Sequence, residues 1–170
     1  MYPVEFDRDV KITLGFEGGT NADPVDRGGL TKFGVNEKQY PDVRRPDFDV
    51  HDALAIYFKD YWIKSGCNEM PYPLSMVVFD CAVNCGQPSA IKWVQETLKL
   101  IGNNIVIDGK MGIATETAIL TVGQYRLIAG IMGCRLRRYV DLIGKYPAQI
   151  KYYKGWTDRA VKIQMLVAKS

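Results

Sequence analysis

At 170 residues, 47% apolar and 24% charged, the chain has the length and composition of one compact globular domain, which argues against extensive disorder. Its net charge of +3, from 22 basic and 19 acidic residues, is too mild to argue for nucleic acid, and is only compatible with an anionic polymer. No run of 18 apolar residues exists, so no membrane partner is expected, and the charged opening MYPVEFDRDV lacks the apolar region of a signal peptide.

The elements follow from periodicity. Residues 4–16 read as a helix, with Phe6, Val10 and Leu14 on one face and Gly18-Gly19 as its stop. Residues 20–36 are rich in Gly, Asn, Asp and Pro and contain the β-prone LTKFGV, which predicts an irregular hairpin. Residues 37–48, with Pro41 and Pro46, read as loop. Residues 50–64 predict one helix whose apolar face is Leu54, Tyr57, Phe58, Tyr61 and Trp62.

Residues 74–85, LSMVVFDCAVNC, are apolar nearly all round, which predicts a central buried helix ended by Gly86. Pro88 sits early in the next helix, where its missing N–H costs little. That helix carries Ile91, Val94, Leu98 and Ile101. NNIVIDGKMG is a turn-rich link in which Asp108-Gly109 reads as a turn. A short helix over 114–122 precedes a longer one over 124–143, with Leu127, Ile131, Leu136, Tyr139, Val140 and Ile143 as its apolar face. GKYPAQIKYYKGW is a basic, aromatic connector, and 156–168 is the last helix, with Arg159 expected as an ion-pair partner in its packing.

Cys67, Cys81, Cys85 and Cys134 have no zinc spacing and are expected to be reduced and buried. His51, the single histidine, sits at a helix start beside Asp49 and Asp52 as a surface or capping residue, so an HExxH metal site, which needs two, is excluded and a Ser-His-Asp triad is not expected. Trp62, Trp93 and Trp156 lie in apolar patterns that suit the core or its edge. Trp156 belongs to KYYKGW, which could also stack sugars or meet anionic wall polymers. Asn84 and Asp80, on the buried helix, must find partners there; Asn84 could brace a cleft floor or meet an N-acetyl group.

The segment EGGTNADPVDRGGLTKFGV, residues 17–35, concentrates the chemistry. Asp23-Pro24 and Asp26 are ordinary turn residues, and a turn alone needs no reaction. Three features go further. Glu17 is flanked by Leu14, Phe16 and two glycines, an apolar setting in which a carboxyl keeps its proton toward neutral pH. Gly18, Gly19, Gly28 and Gly29 leave room for a bulky ligand against the backbone. A returning hairpin can bring Asp26 and Thr31 opposite Glu17. Two carboxyls in unlike environments are the minimum for glycosidic cleavage, and Asp23 competes with Asp26 as the second.

This segment resembles the opening motif of the muramidases of glycoside hydrolase family 108, from phages and bacteria. FDCAVNCGQPSAIKWVQETL, IDGKMGIATETAI and GKYPAQIKYYKGWTDRA resemble the same family's later segments, in order, over nearly the whole chain. Thr20 departs from the aromatic residue often found after Glu-Gly-Gly, and Cys85 stands where a small, polar or His residue is common.

The resemblance implies a mainly α, lysozyme-like fold, a helical bundle lobe with a small N-terminal β-hairpin lobe. Residues 1–86 would be the catalytic region. Residues 87–170 would be a helical region resembling a predicted peptidoglycan-binding domain, packed with the first into one compact unit. By position, Glu17 becomes the general acid, Asp26 the residue that holds a water or stabilises the oxocarbenium-like transition state, and Thr31 the residue that positions the water. Gly18, Gly19, Asp23, Gly29, Asn84 and Trp156 become substrate-binding candidates.

The activity implied is an endolysin-type N-acetylmuramidase, inverting, acting on peptidoglycan as a monomer with no metal and no cofactor. It would be made in the cytoplasm and would depend on a holin-type membrane lesion to reach the wall. A lytic transglycosylase and a non-catalytic wall-binding protein of the same fold are the alternatives.

Overall fold

The computed structural model describes residues 1–15 and 30–170. Helix α1 spans Val4–Leu14. Strands β1, Thr31–Lys32, and β2, Val35–Asn36, form one antiparallel hairpin, with Thr31 opposite Asn36 and Lys32 opposite Val35. Helix α2, Val50–Ile56, runs on as a π-helical segment, Tyr57–Ile63. Helices α3, Leu74–Cys85, and α4, Gln87–Leu100, follow. Then come α5, Ile113–Leu120, α6, Gln124–Lys145, and α7, Tyr153–Val167. Short 3-10 turns occupy Pro41–Arg44, Cys67–Glu69 and Pro147–Tyr152. The fold is mainly α with one small hairpin, the lysozyme-like arrangement expected.

Helix α3 is the axis. Every residue from Leu74 to Ala82 is buried, as its all-round apolar sequence predicts. It packs against α1, α4 and α6. Phe79 meets Phe6 of α1 and Trp62 of the π segment edge-on, with ring centroids 5.9 and 5.5 Å away. Phe6 and Trp62 meet in turn at 5.7 Å. Each buried ring contributes about 1.5–3 kcal/mol of transfer free energy, so this triangle holds α1 and the π segment onto α3. Gly130 lets α6 approach α4 closely: a Cβ there would sit 2.3 Å from Thr97 Cγ2.

The buried helix also carries a charge. Asp80 is fully buried and accepts from Arg135 Nη1 of α6 at 2.7 Å. It also accepts from Arg159 Nε and Nη2 of α7, at 3.0 and 2.8 Å. Arg135, equally buried, donates from Nη2 to Asn84 Oδ1 at 3.0 Å and from Nε to the Tyr139 hydroxyl at 2.5 Å. One carboxylate thus joins α3, α6 and α7. Arg159 is the ion-pair partner expected, and its partner lies on the central helix.

Arg135 also explains a departure in α6. The buried stripe is Leu127, Ile128, Ile131, Met132, Cys134, Arg135 and Tyr139. Leu136 and Val140, expected on that face, are instead 46% and 63% exposed. The face is centred on an arginine, so its true line runs one residue away from the apolar pattern.

The hairpin turn is Phe33-Gly34, both at positive φ (52° and 77°), the backbone that a two-residue loop needs to match the strands' twist. The Phe33 ring lies against Phe48, and the Phe33 carbonyl accepts from the buried Tyr57 hydroxyl at 3.0 Å. That bond ties the hairpin to the π segment.

A second buried amide fixes the α4–α5 link. Gln95 Oε1 accepts from the backbone N–H groups of Asp108 and Gly109, and its Nε2 donates to Asp108 Oδ1 at 2.8 Å. Asp108-Gly109 is the turn expected. The loop expected over 37–48 contains the 3-10 turn Pro41–Arg44, begun by Pro41 with its preset φ. The last helix starts at Tyr153, three residues before its expected start at 156.

Asp9 of α1 is buried at the other end of α3, accepting from Ser75 Oγ at 2.9 Å and Arg8 Nε at 2.8 Å. Burial raises its pKa, although both hydrogen bonds act to lower it. All four cysteines are free; Cys67, Cys81 and Cys134 are buried and Cys85 half-buried. Burial pushes the Cys81 thiol up to about 12. Asp49, not His51, caps α2: its side chain accepts from the His51 and Asp52 N–H groups, and Asp52 returns the bond.

Removing Asp80 takes the one shared carboxylate from two buried guanidinium groups, so Asp80→Ala is expected to cost about 3–5 kcal/mol in urea unfolding. Tyr57→Phe, which deletes the tie to the Phe33 carbonyl, should cost about 1 kcal/mol and raise amide exchange in residues 31–36. The raised folded pKa of Asp9 means that its contribution is fully present below about pH 4 and is lost as pH rises through the folded value. Asp9→Asn removes that dependence. Wild type should therefore lose stability relative to Asp9→Asn as pH rises above the ordinary carboxylate range, measured by unfolding at each pH.

Candidate functional site

An open groove of about 560 Å³ lies between the hairpin and the helices. Gly34, Val35 and Asn36 form its hairpin wall, and Gln39 and Tyr40 extend that wall. Tyr57, Asp60, Tyr61 and Lys64 face them from the π segment. Val83, Gly86, Gln87 and Pro88 close one end at the α3–α4 junction. The volume is within the range that holds a ligand of a few rings.

The π segment sets the opposite wall. Its widened turn presents Asp60 and Lys64 on the groove side beside Tyr57 and Tyr61. Lys64 Nζ donates to Asp60 Oδ1 at 2.5 Å. Gln87 Nε2 donates to the Lys64 carbonyl at 2.8 Å, which ties the start of α4 to the end of the π segment. The Tyr61 hydroxyl donates to Gln39 Oε1 at 3.3 Å across the groove. Gln39 is itself placed by its N–H, which donates to Asn36 Oδ1 at 3.0 Å.

Burial raises the Tyr61 pKa, and burial together with the neighbouring Tyr61 and Asp60 raises that of Tyr40. Both stay neutral phenols across the working pH range, able to donate and accept. With Asn36, Gln39 and Gln87, the lining pairs aromatic faces with carboxamides. Rings of this kind stack on the CH faces of sugars, and amides match acetamido and hydroxyl groups. Among the described residues, no cluster of three or more His, Cys, Asp or Glu side chains could hold a metal ion.

The expected site residues fall in different places. Thr31 is on β1, half-buried and paired with the groove residue Asn36, but it is not itself among the described lining residues. Asn84 adjoins the groove residue Val83, yet its side-chain oxygen accepts from Arg135. Trp156 is half-buried between Tyr139 and Tyr152, away from the groove lining. Glu17, Gly18, Gly19, Asp23, Asp26 and Gly29 lie outside the described residues. Gln39, Tyr40, Asp60, Tyr61, Lys64 and Gln87 were not expected as site residues. The available signal was Asp60 and Lys64 four apart, flanking Tyr61 on an otherwise apolar helix face.

Residues 10–86 match the family model described as Glycosyl hydrolase 108, and residues 89–161 match the model described as Predicted Peptidoglycan domain. Among solved structures, the chain is similar to that titled "Structure of Brucella abortus SagA", with a TM-score of 0.79 at 22% identity. That match covers 96% of this chain and 94% of the other, and it speaks for the fold. No curated protein matches the chain in sequence. No described helix is long and apolar enough to cross a membrane. The groove lies almost wholly within the first matched region, and the two models together take in most of the chain. Residues 10–86 are therefore a glycosyl hydrolase family 108 region, which marks the chain as a glycoside hydrolase, and they are followed by a predicted peptidoglycan domain over residues 89–161.

Proposed function

We propose that the chain is an N-acetylmuramidase that hydrolyses the β-1,4 bond between N-acetylmuramic acid and N-acetylglucosamine in peptidoglycan. The observation that carries this reading is the groove itself. It is open, lined by neutral phenols and carboxamides, and bordered by the hairpin that directly follows the Glu17–Gly29 segment. An acetamido sugar chain is the substrate such a lining suits, and the glycosyl hydrolase match supports cleavage of it.

In this mechanism Glu17 donates its proton to the glycosidic oxygen as the bond to C1 breaks. Asp26 holds the water, or stabilises positive charge on the sugar ring, while Thr31 orients the water. The leaving sugar departs with the Glu17 proton, and the water's oxygen bonds to C1 from the opposite face as its surplus proton passes to the Asp26 carboxylate. That inverting course asks for carboxyl groups about 6.5–9.5 Å apart, enough for a water between them. Asp23 is the competing second carboxylate. An endolysin-type role, with release to the wall through a membrane lesion, rests on the resemblance of the Glu-Gly-Gly segment to phage and bacterial muramidases.

The test is digestion of purified peptidoglycan by wild type and by Glu17→Gln, with fragments read by mass spectrometry. Glu17→Gln is expected to lose about 10²–10⁴-fold in rate, the range for a general acid. Borohydride labelling should place the new reducing ends on muramic acid. Anhydro-muramic ends would identify a lytic transglycosylase, and unchanged activity in Glu17→Gln would remove the acid assignment.

A further inference from the structure

The groove lining is uncharged except at one place. Among its described residues only Asp60 and Lys64 carry charge, and they pair with each other. The two side chains are unequally covered, that of Asp60 being 21% exposed and that of Lys64 57%. The carboxylate is the more covered partner, so an incoming ligand meets the ammonium first. An exposed pair four residues apart on a helix adds little to stability, so the fold has small need of it.

Lys64 is held at both ends. Gln87 Nε2 donates to its carbonyl at 2.8 Å, which fixes the backbone just past the π segment. Asp60 Oδ1 accepts from its Nζ at 2.5 Å, which fixes the ammonium. A lysine side chain is otherwise mobile, and ordering it on binding weakens the contact it makes. Here much of that ordering is complete before a ligand arrives. An ammonium has three N–H donors, and Asp60 takes one. Two are left for an acceptor in the groove.

We propose that Lys64 is a specificity-determining residue of the groove: its ammonium receives a carboxylate carried on the O3 side chain of muramic acid. The inference rests on the reading of the substrate as peptidoglycan, but not on the assignment of Glu17. Phenols and carboxamides suit any acetamido sugar, and would accept an uncharged N-acetylglucosamine polymer as readily. A cation adds nothing to the binding of that polymer. In peptidoglycan every second sugar bears an O3 lactyl group, whose carboxylate is either free or joined to a stem peptide with carboxylates of its own. One cation in a lining of zero net charge suits one such group per repeat, whereas a polyanion would call for several cations.

The experiment uses the full chain and short soluble fragments of two disaccharide units in three forms. The first keeps its stem peptides, the second has the stem carboxylates amidated, and the third is stripped of stem peptides so that the lactyl carboxylates are free. Kd is read on ice by anisotropy of an end-labelled fragment, and KM and kcat by cleavage. Lys64→Met is expected to raise Kd and KM about five-fold on the forms that carry a carboxylate, and to match wild type on the amidated form. Amidation should weaken wild type to the level of that variant, and Lys64→Arg should bind as wild type does. A loss confined to the stripped form assigns the contact to the lactyl carboxylate, and one confined to the first form assigns it to the stem peptide; either supports the proposal. An equal loss on all three forms, as a structural lysine would give, overturns it, and so does no loss on any. If wild type cleaves no fragment while binding still depends on Lys64 and on the carboxylate, the muramidase reading falls and this one stands. Intact cleavage with binding indifferent to Lys64 is the reverse result.

Discussion

Asp80 is a single buried carboxylate held by two guanidinium groups that lie 55 and 79 residues further along the chain. In a dry interior an unpaired charge is very costly, whereas a charge with its hydrogen bonds satisfied is tolerated. The arrangement therefore works as a condition on assembly. Helix α3 can be buried with Asp80 ionised only if α6 and α7 are both in place. Arg135 then passes the constraint outward, to Asn84 beside the groove and to Tyr139 beneath Trp156. The groove end and the packing of α6 on α7 share one anchor.

The groove obeys a different logic. Its walls come from a two-stranded hairpin, too small to be stable alone, and from a π segment held by the Phe6, Trp62 and Phe79 rings. The Tyr57 hydroxyl joins the two walls from below, and the Tyr61–Gln39 contact joins them across the opening. A glycan chain is a long, weakly held ligand, read along its length by rings and amides. Fixed phenols and carboxamides suit that task because little side-chain freedom is lost on binding.

The helices were legible in the sequence because burial imposes a period on apolar residues. The all-apolar run of 74–85 announced α3, and Pro88 announced the start of α4. What stayed hidden were polar groups paired across long stretches of chain. Nothing local distinguishes Arg135 from the exposed Arg137 and Arg138, so the buried face of α6 was drawn one residue off, through Leu136 and Val140. Gln95 likewise resembles any surface glutamine until the Asp108-Gly109 turn folds onto it. Tyr61 was read as core for the same reason: an aromatic periodicity says that a ring is covered, but not whether protein or ligand covers it. The hairpin that carries Thr31 was expected from its turn residues, whereas the groove opposite it was not.

The π segment has a consequence for how this wall tolerates insertions and deletions. A π turn is an α-helix carrying one extra residue, so Tyr57–Ile63 stores a surplus position within an otherwise continuous rod. Deleting one residue there would relax the backbone to ordinary α geometry and would not break the helix. Because the bulge holds its extra residue without turning the helix beyond it, Lys64 and the chain downstream would keep their phase. What would change is the bulged face itself, where Asp60 and Tyr61 line the groove. The local backbone could accept the shorter helix readily, yet the groove could not, so the length of this segment is constrained by the cavity it faces and not by its own hydrogen bonds.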